Sequence, residues 1–277
     1  MRKLLLSVVG VVSGFHAAYA DATDWVQHQD MLKTRLITAS SELSPAGKIL
    51  LAWEAKLAPG WKTYWRSPGE AGLPVRVFSE GDEKEVQYPF PERFELFGLE
   101  TFGYSDYVVL PFELDAKRDQ STVAVDVDFM VCKEICVPFK TTYELENISV
   151  EDISIHDGKF RKWSERVPAV AGDDDAGLDI KWAKVVGPVG RQKIIAEVSA
   201  DTGLSDADML VEVNDMFHFG KPKMKLLADG RTARFVLPAM TGKMPEDLRG
   251  KKARLTFTNG RGASIERTLD LPSKHNN

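Results

Sequence analysis

The 277-residue chain holds only two cysteines, Cys132 and Cys136, and no others. A scaffold held by several disulfides is therefore excluded. No apolar run approaches the roughly 20 residues a membrane-spanning helix needs. There is no closely spaced histidine pair, no Ser-His-Asp arrangement and no glycine loop that would cradle a phosphate. Strand-helix-strand alternation is also missing, which argues against a thioredoxin-type or nucleotide-binding domain. Positive charge is in deficit: the formal charge is −5, which argues against nucleic acid or an anionic membrane surface as partner.

The N-terminus reads as an export signal over residues 1–20. Met1-Arg2-Lys3 supplies the positive end, Leu4 to Val12 a short apolar stretch, and Ala18-Tyr19-Ala20 a small-residue cleavage site before Asp21. Removing it takes away Arg2 and Lys3 and brings the charge to about −7. The expectation is an exported protein whose mature chain is soluble and does not insert in a membrane. In such a compartment a cysteine pair can oxidise and stay oxidised. About 257 mature residues are enough for one large or two ordinary domains, each with its own core.

What the chain does have is period two. Val123, Val125, Val127, Phe129 and Val131 alternate with Ala124, Asp126, Asp128 and Met130, and Phe139, Thr141, Tyr143 and Leu145 alternate with Lys140, Thr142 and Glu144. That is a hairpin with one face on a core. Further strands are expected at Lys48 to Leu57, Leu73 to Phe78 and Tyr107 to Leu114. Beyond these come Leu178 to Val185, Lys193 to Val198, Met209 to Val213, Ala233 to Leu237, Arg254 to Thr258 and Ser264 to Leu269. One short helix fits Lys159 to Val167. The small, acidic stretch Pro168 to Gly177 reads as a linker. The fold class is all-β: two tandem immunoglobulin-like β-sandwich domains, residues 21–170 and 171–277, after a cleaved signal peptide. One larger sandwich with an inserted loop is the alternative.

The cysteines can be placed by geometry. Four apart on a helix, their Cβ atoms would stand about 5–6 Å apart, too far for a disulfide; opposite one another across a hairpin, their Cα atoms come within its range. Cys132 and Cys136 can thus bond across a hairpin tipped by Lys133-Glu134-Ile135. By parity both sulfurs should face away from the core, where another protein could reach them. As a staple the bond is weak, since closing a five-residue loop contributes roughly 2 kcal/mol. Redox exchange, a structural staple and metal ligation all remain open on these grounds.

The stretch Phe129-Met-Val-Cys132-Lys-Glu-Ile-Cys136-Val-Pro-Phe139 resembles the cysteine hairpin of the periplasmic N-terminal domains of DsbD-type thiol:disulfide interchange proteins, most of all the ScsB-like branch. The segments Pro59 to Pro74 and Tyr88 to Tyr104 agree with it. The resemblance is strong over about residues 30 to 150 and looser to about 270. It implies an immunoglobulin-like redox domain that takes electrons from a membrane-embedded thiol donor and passes them to periplasmic thioredoxin-like proteins. Cys132 and Cys136 would be the couple, and Phe97 and Phe102 would cap it, with Trp61, Tyr64 and Trp65 lining the site. A full DsbD-type protein also carries a multi-helix membrane domain and a thioredoxin domain. The expectation here is a separately encoded outer module. The longer-spaced cysteine pair of the DsbD branch itself gives no basis for transferring its acidic residues.

No organic cofactor is implied. Copper is the alternative ligand, with Met216, His218 and Met224 beside the thiolates as soft donors. The run Asp173-Asp174-Asp175 reads as solvated linker or a calcium contact.

Overall fold

A computed structural model describes residues 21–116, 122–146, 154–172, 177–214, 217–241 and 245–273. The signal segment, Asp173 to Asp175 and Met216 lie outside them. In chain order the first part comprises β1 (Val26–His28), β2 (Leu32–Thr38), β3 (Lys48–Leu57), β4 (Lys62–Gly69), β5 (Arg76–Ser79), β6 (Asp82–Lys84), β7 (Glu92–Leu96), β8 (Leu99–Ser105), β9 (Tyr107–Asp115), β10 (Thr122–Cys132) and β11 (Cys136–Glu146), then α1 (Asp157–Ser164). One sheet runs β1-β2-β3-β9. The facing sheet runs β6-β5-β10-β4-β8-β7, with β11 on the other edge of β10.

Each strand forms where its alternation can bury one face. Along β10 the odd residues Val123 to Val131 are buried, as their period-two spacing predicts. β3 instead is buried almost continuously from Ile49 to Ala55. Its apolar residues meet the facing sheet, and Glu54 on the same strand is fully buried by other means. Arg35 donates to its carboxylate at 2.6 Å, Lys159 of α1 at 2.7 Å, and the Tyr107 hydroxyl also donates. Burial alone would raise the Glu54 pKa, but hydrogen bonds from Lys159, Tyr107 and Arg35 outweigh it and leave the carboxyl lowered. α1 buries Phe160 and Trp163 in the same core. It starts two residues before the position expected from its pattern, because the Asp157 carboxylate accepts bonds from the Ser40 N–H and hydroxyl at 2.9 and 2.7 Å.

The second part comprises β12 (Ala169–Val170), β13 (Leu178–Val186), β14 (Lys193–Ala200), β15 (Asp208–Glu212), β16 (Phe217–Phe219), β17 (Lys223–Leu226), β18 (Thr232–Thr241), β19 (Lys252–Thr258) and β20 (Ser264–Asp270). Its sheets run β12-β20-β19-β15 and β13-β14-β18-β16, with β17 also on β18. Part of the expected linker is therefore a strand: Ala169 and Val170 pair in parallel with Ile265 and Glu266. The pairing buries backbone groups that a free linker would leave to water.

The two sandwiches are packed on each other. On β15, Met209 and Val211 enter the second core while Leu210 is buried in the first. Arg66 of β4 grips Glu212 with both Nε and Nη2 and also bonds Glu266 and Thr256. Arg93 of β7 grips Asp208 through two bonds of 3.1 Å.

Candidate redox site

The β10–β11 ladder pairs eleven residues without a slip and ends at Cys132 opposite Cys136. The two are disulfide-bonded, with Cα atoms 4.1 Å apart. The Lys133 N–H donates to the Ile135 carbonyl at 3.1 Å, so residues 133 and 135 form a hydrogen-bonded pair. By alternation, 132 and 136 are a non-hydrogen-bonded pair, the closer kind, which brings side chains together.

The two sulfurs are not equivalent. Cys132 is 1% exposed, whereas Cys136 and the tip Lys133 to Ile135 stand in solvent. Parity correctly keeps Cys132 out of the main core, but the expectation that both sulfurs face outward needs correcting. Cys132 lies in a small separate cluster with Tyr64 and Leu96, against which Phe94 and Met130 pack. The cover exists because β4 and the β7–β8 hairpin extend the same sheet past the end of β10.

Tyr64 is fully buried, and among the described residues its hydroxyl has no hydrogen-bond partner. Burial pushes its pKa up to about 12, so it stays protonated. Two glycines make its place. A side chain at Gly72 would meet the Tyr64 ring at 2.3 Å, and one at Gly103, paired with Tyr64, would meet the Thr63 carbonyl at 1.9 Å. Phe94 lies 6.2 Å from the Tyr64 ring, with the Lys62 ammonium 4.7 Å from the centre of its own.

The other expected lining residues sit elsewhere. Phe97 is 63% exposed in the two-residue turn between β7 and β8, where it and Gly98 both have positive φ, 55° and 79°. Phe102 is buried in the main core, under the Arg93 guanidinium at 4.8 Å. Trp61 is half-buried and packs against the main core rather than in the Cys132 cluster, and Trp65 is buried in that core. Phe94 and Leu96, not singled out from the sequence, cover Cys132. The parity of β7 relative to its turn is the signal that points to them.

Beneath the hairpin lies a buried polar relay. His28 Nε2 is 2.7 Å from the Thr34 hydroxyl, which bonds the Tyr143 hydroxyl; the Trp53 indole N–H donates to Tyr143 at 3.2 Å. The stacked cross-strand pair Phe129 and Phe139 packs on the edge of His28. A cleft of about 1160 Å³ opens between the sandwiches, lined by the end of β4 and the residues after it from Ser67 to Pro74, by Pro138 and Phe139, and by Phe217 and His218. The cysteines do not line it. His218 is half-buried on β16, and Met224 packs on the second core from β17. Among the described residues no group of three or more His, Cys, Asp or Glu is placed to hold a metal. Among them too, no helix is long and apolar enough to cross a membrane.

Residues 29–147 match the family described as the N-terminal domain of the thiol:disulfide interchange protein DsbD. Residues 166–272 match a family described as a domain of unknown function, DUF8393. No curated protein matches the chain significantly. Among solved structures, the N-terminal periplasmic domain of ScsB from Proteus mirabilis is similar, with a TM-score of 0.74 at 21% identity, over 92% of this chain and 99% of that one. With the cysteine hairpin at the end of the matched segment, residues 29–147 are similar to a DsbD-type N-terminal domain, and the chain as a whole is ScsB-like in fold.

Proposed function

We propose that the chain is a periplasmic electron-relay module whose Cys132–Cys136 disulfide is reduced by a membrane-embedded thiol donor and reoxidised by periplasmic thioredoxin-like proteins. The observation that carries this reading is the asymmetry of the bond. A partner's thiolate meets Cys136, which is exposed, while Cys132 is sheltered under Tyr64 and Leu96. One sulfur is thereby the point of attack and the other the internal leaving group; on reoxidation the Cys136 thiolate attacks the acceptor's disulfide, and Cys132 resolves the mixed disulfide so formed. A bond that only stapled the hairpin would contribute roughly 2 kcal/mol to a sandwich that already has a large core.

The test is the reduction potential of the couple in purified mature protein, read by alkylation after equilibration in dithiothreitol or glutathione buffers. Exchange couples lie between about −120 and −270 mV, and structural bonds below about −300 mV. The expected value is in the upper range, and Cys132→Ser should trap a mixed disulfide through Cys136. A value below about −300 mV with no trapped partner refutes the relay.

A further inference from the structure

The strand that ends in the exposed cysteine is also a sheet edge. β11 pairs with β10 along eleven residues, and among the described residues no strand pairs with its other side. The non-hydrogen-bonded pairing of Cys132 with Cys136 fixes which backbone groups point outward. They belong to Cys136, Pro138, Lys140, Thr142 and Glu144. Pro138 falls in this outward set, so its missing N–H costs no bond to β10. Free edges recruit other strands; this one lacks the Pro138 N–H, still offers the outward N–H groups of Cys136, Lys140, Thr142 and Glu144, and begins at the reactive sulfur.

Resting on the redox reading above, we propose that the free edge of β11 is a docking strand for an extended, cysteine-bearing segment of the dithiol partner, which adds to the sheet beside Cys136. Two geometric facts converge on this occupant. A residue set opposite Cys136 in an added strand would have its Cα about 5.5 Å away and its side chain on the same face, inside the span a disulfide bridges. The Cys132–Cys136 bond crosses from β10 to β11. A thiolate arriving from the outer edge therefore approaches the Cys136 sulfur from the side opposite Cys132, the direction that displacement at sulfur requires. Strand addition delivers the reactant and aims it in one step. The face it shares with Cys136 carries exposed Lys140, Thr142 and Glu144, so the segment that fits is polar and mixed in charge on that face.

The step balances within the two proteins. The partner's thiolate attacks Cys136 Sγ; an intermolecular S–S bond forms, the Cys132–Cys136 bond breaks, and Cys132 leaves as the thiolate. The partner's second thiolate then attacks its own sulfur in the mixed disulfide and releases Cys136. The partner ends as a disulfide and this chain as a dithiol, its two thiolates taking up the protons the partner gave to solvent.

The probes are two synthetic decapeptides with one central cysteine, one flanked by alternating Val, Thr and Lys and the other with prolines on both sides of the cysteine. Each is reacted with oxidised wild-type protein, and each rate is divided by the rate with dithiothreitol. The extended peptide is expected to react at least tenfold faster than the proline-flanked one, and Lys140→Pro, which removes an outward N–H, should erase most of that advantage. Equal rates on the wild type overturn the proposal, and so does an advantage that survives Lys140→Pro. A wild-type dimer in light scattering that Lys140→Pro dissociates gives the edge to a second copy, and equally overturns it. If dithiothreitol also fails to reduce the bond, the redox reading itself falls, a result separable from equal peptide rates.

Discussion

The two sandwiches solve the same packing problem with different materials. The first core is aromatic and polar: Trp53, Trp65 and Tyr143 are fully buried, beside a buried carboxylate on Glu54 and a histidine relay. The second is built from aliphatic residues with Phe217, Phe219, Phe235 and Phe257, and among the described residues its buried polar side chains are Thr232, Thr256 and Thr258 with Gln192, Asn259 and Ser264, none of them ionisable. Apolar packing alone is enough for stability. Buried polar groups demand partners at set distances, so they hold neighbouring strands in one arrangement. The contrast locates rigidity in the sandwich that carries the disulfide.

The contrast would break most visibly at Glu54. Glu54→Gln leaves Arg35 and Lys159 facing a neutral amide in a buried site, and should cost about 3–5 kcal/mol in urea unfolding followed by tryptophan fluorescence. A cost below about 1 kcal/mol would show that the buried cluster does not anchor the first sandwich. The contact between the sandwiches comes next. Arg66→Ala takes the cation from Glu212 and leaves Glu266 with Arg254 alone, both carboxylates being largely buried, and should cost about 2–3 kcal/mol and split one unfolding transition into two in calorimetry. A single unshifted transition would mean the sandwiches are coupled by apolar contacts alone.

The smallest effect is on pH. Burial lowers the pKa of His28 below its ordinary 6.5; burial and the nearby Lys159 and Arg35 do the same for His156. The unfolded chain therefore takes up protons below about pH 6.5 that the folded chain refuses. Their stabilisation is full above that pH and is lost as pH falls through it. Urea midpoints should drop between pH 7.5 and 5.5, and less in His28→Gln; an identical drop in the variant would remove His28 from the relay's energetics.

Much of the fold is legible in the order of the amino acids. Period-two runs mark β10, β11 and most strands of the second sandwich, because a half-buried strand must alternate, and continuous apolar runs mark β3 and β9. The cross-strand bond follows from spacing and strand context. The cover over Cys132 does not. Phe94 and Phe102 lie in one aromatic-rich stretch, and which one faces the sulfur depends on a single residue of parity set by the Phe97-Gly98 turn. Type I′ turns favour Asn-Gly or Asp-Gly, so a phenylalanine at positive φ hides the turn. The burial of Cys132 is equally hidden, since parity reports the face of a strand and says nothing of what another part of the sheet lays across it. Arg66 and Arg93 look like ordinary surface charges because the partners that tie them to the second sandwich lie more than a hundred residues away.

Leu210 belongs to one sandwich by sequence and to the other by burial. Cutting the chain near residue 170 would open an apolar socket in the half that keeps the cysteines, so the two halves are separable as segments of text but not as pieces of soluble matter. Any exchange of the second half between such proteins would have to bring a side chain of matching shape to that one position.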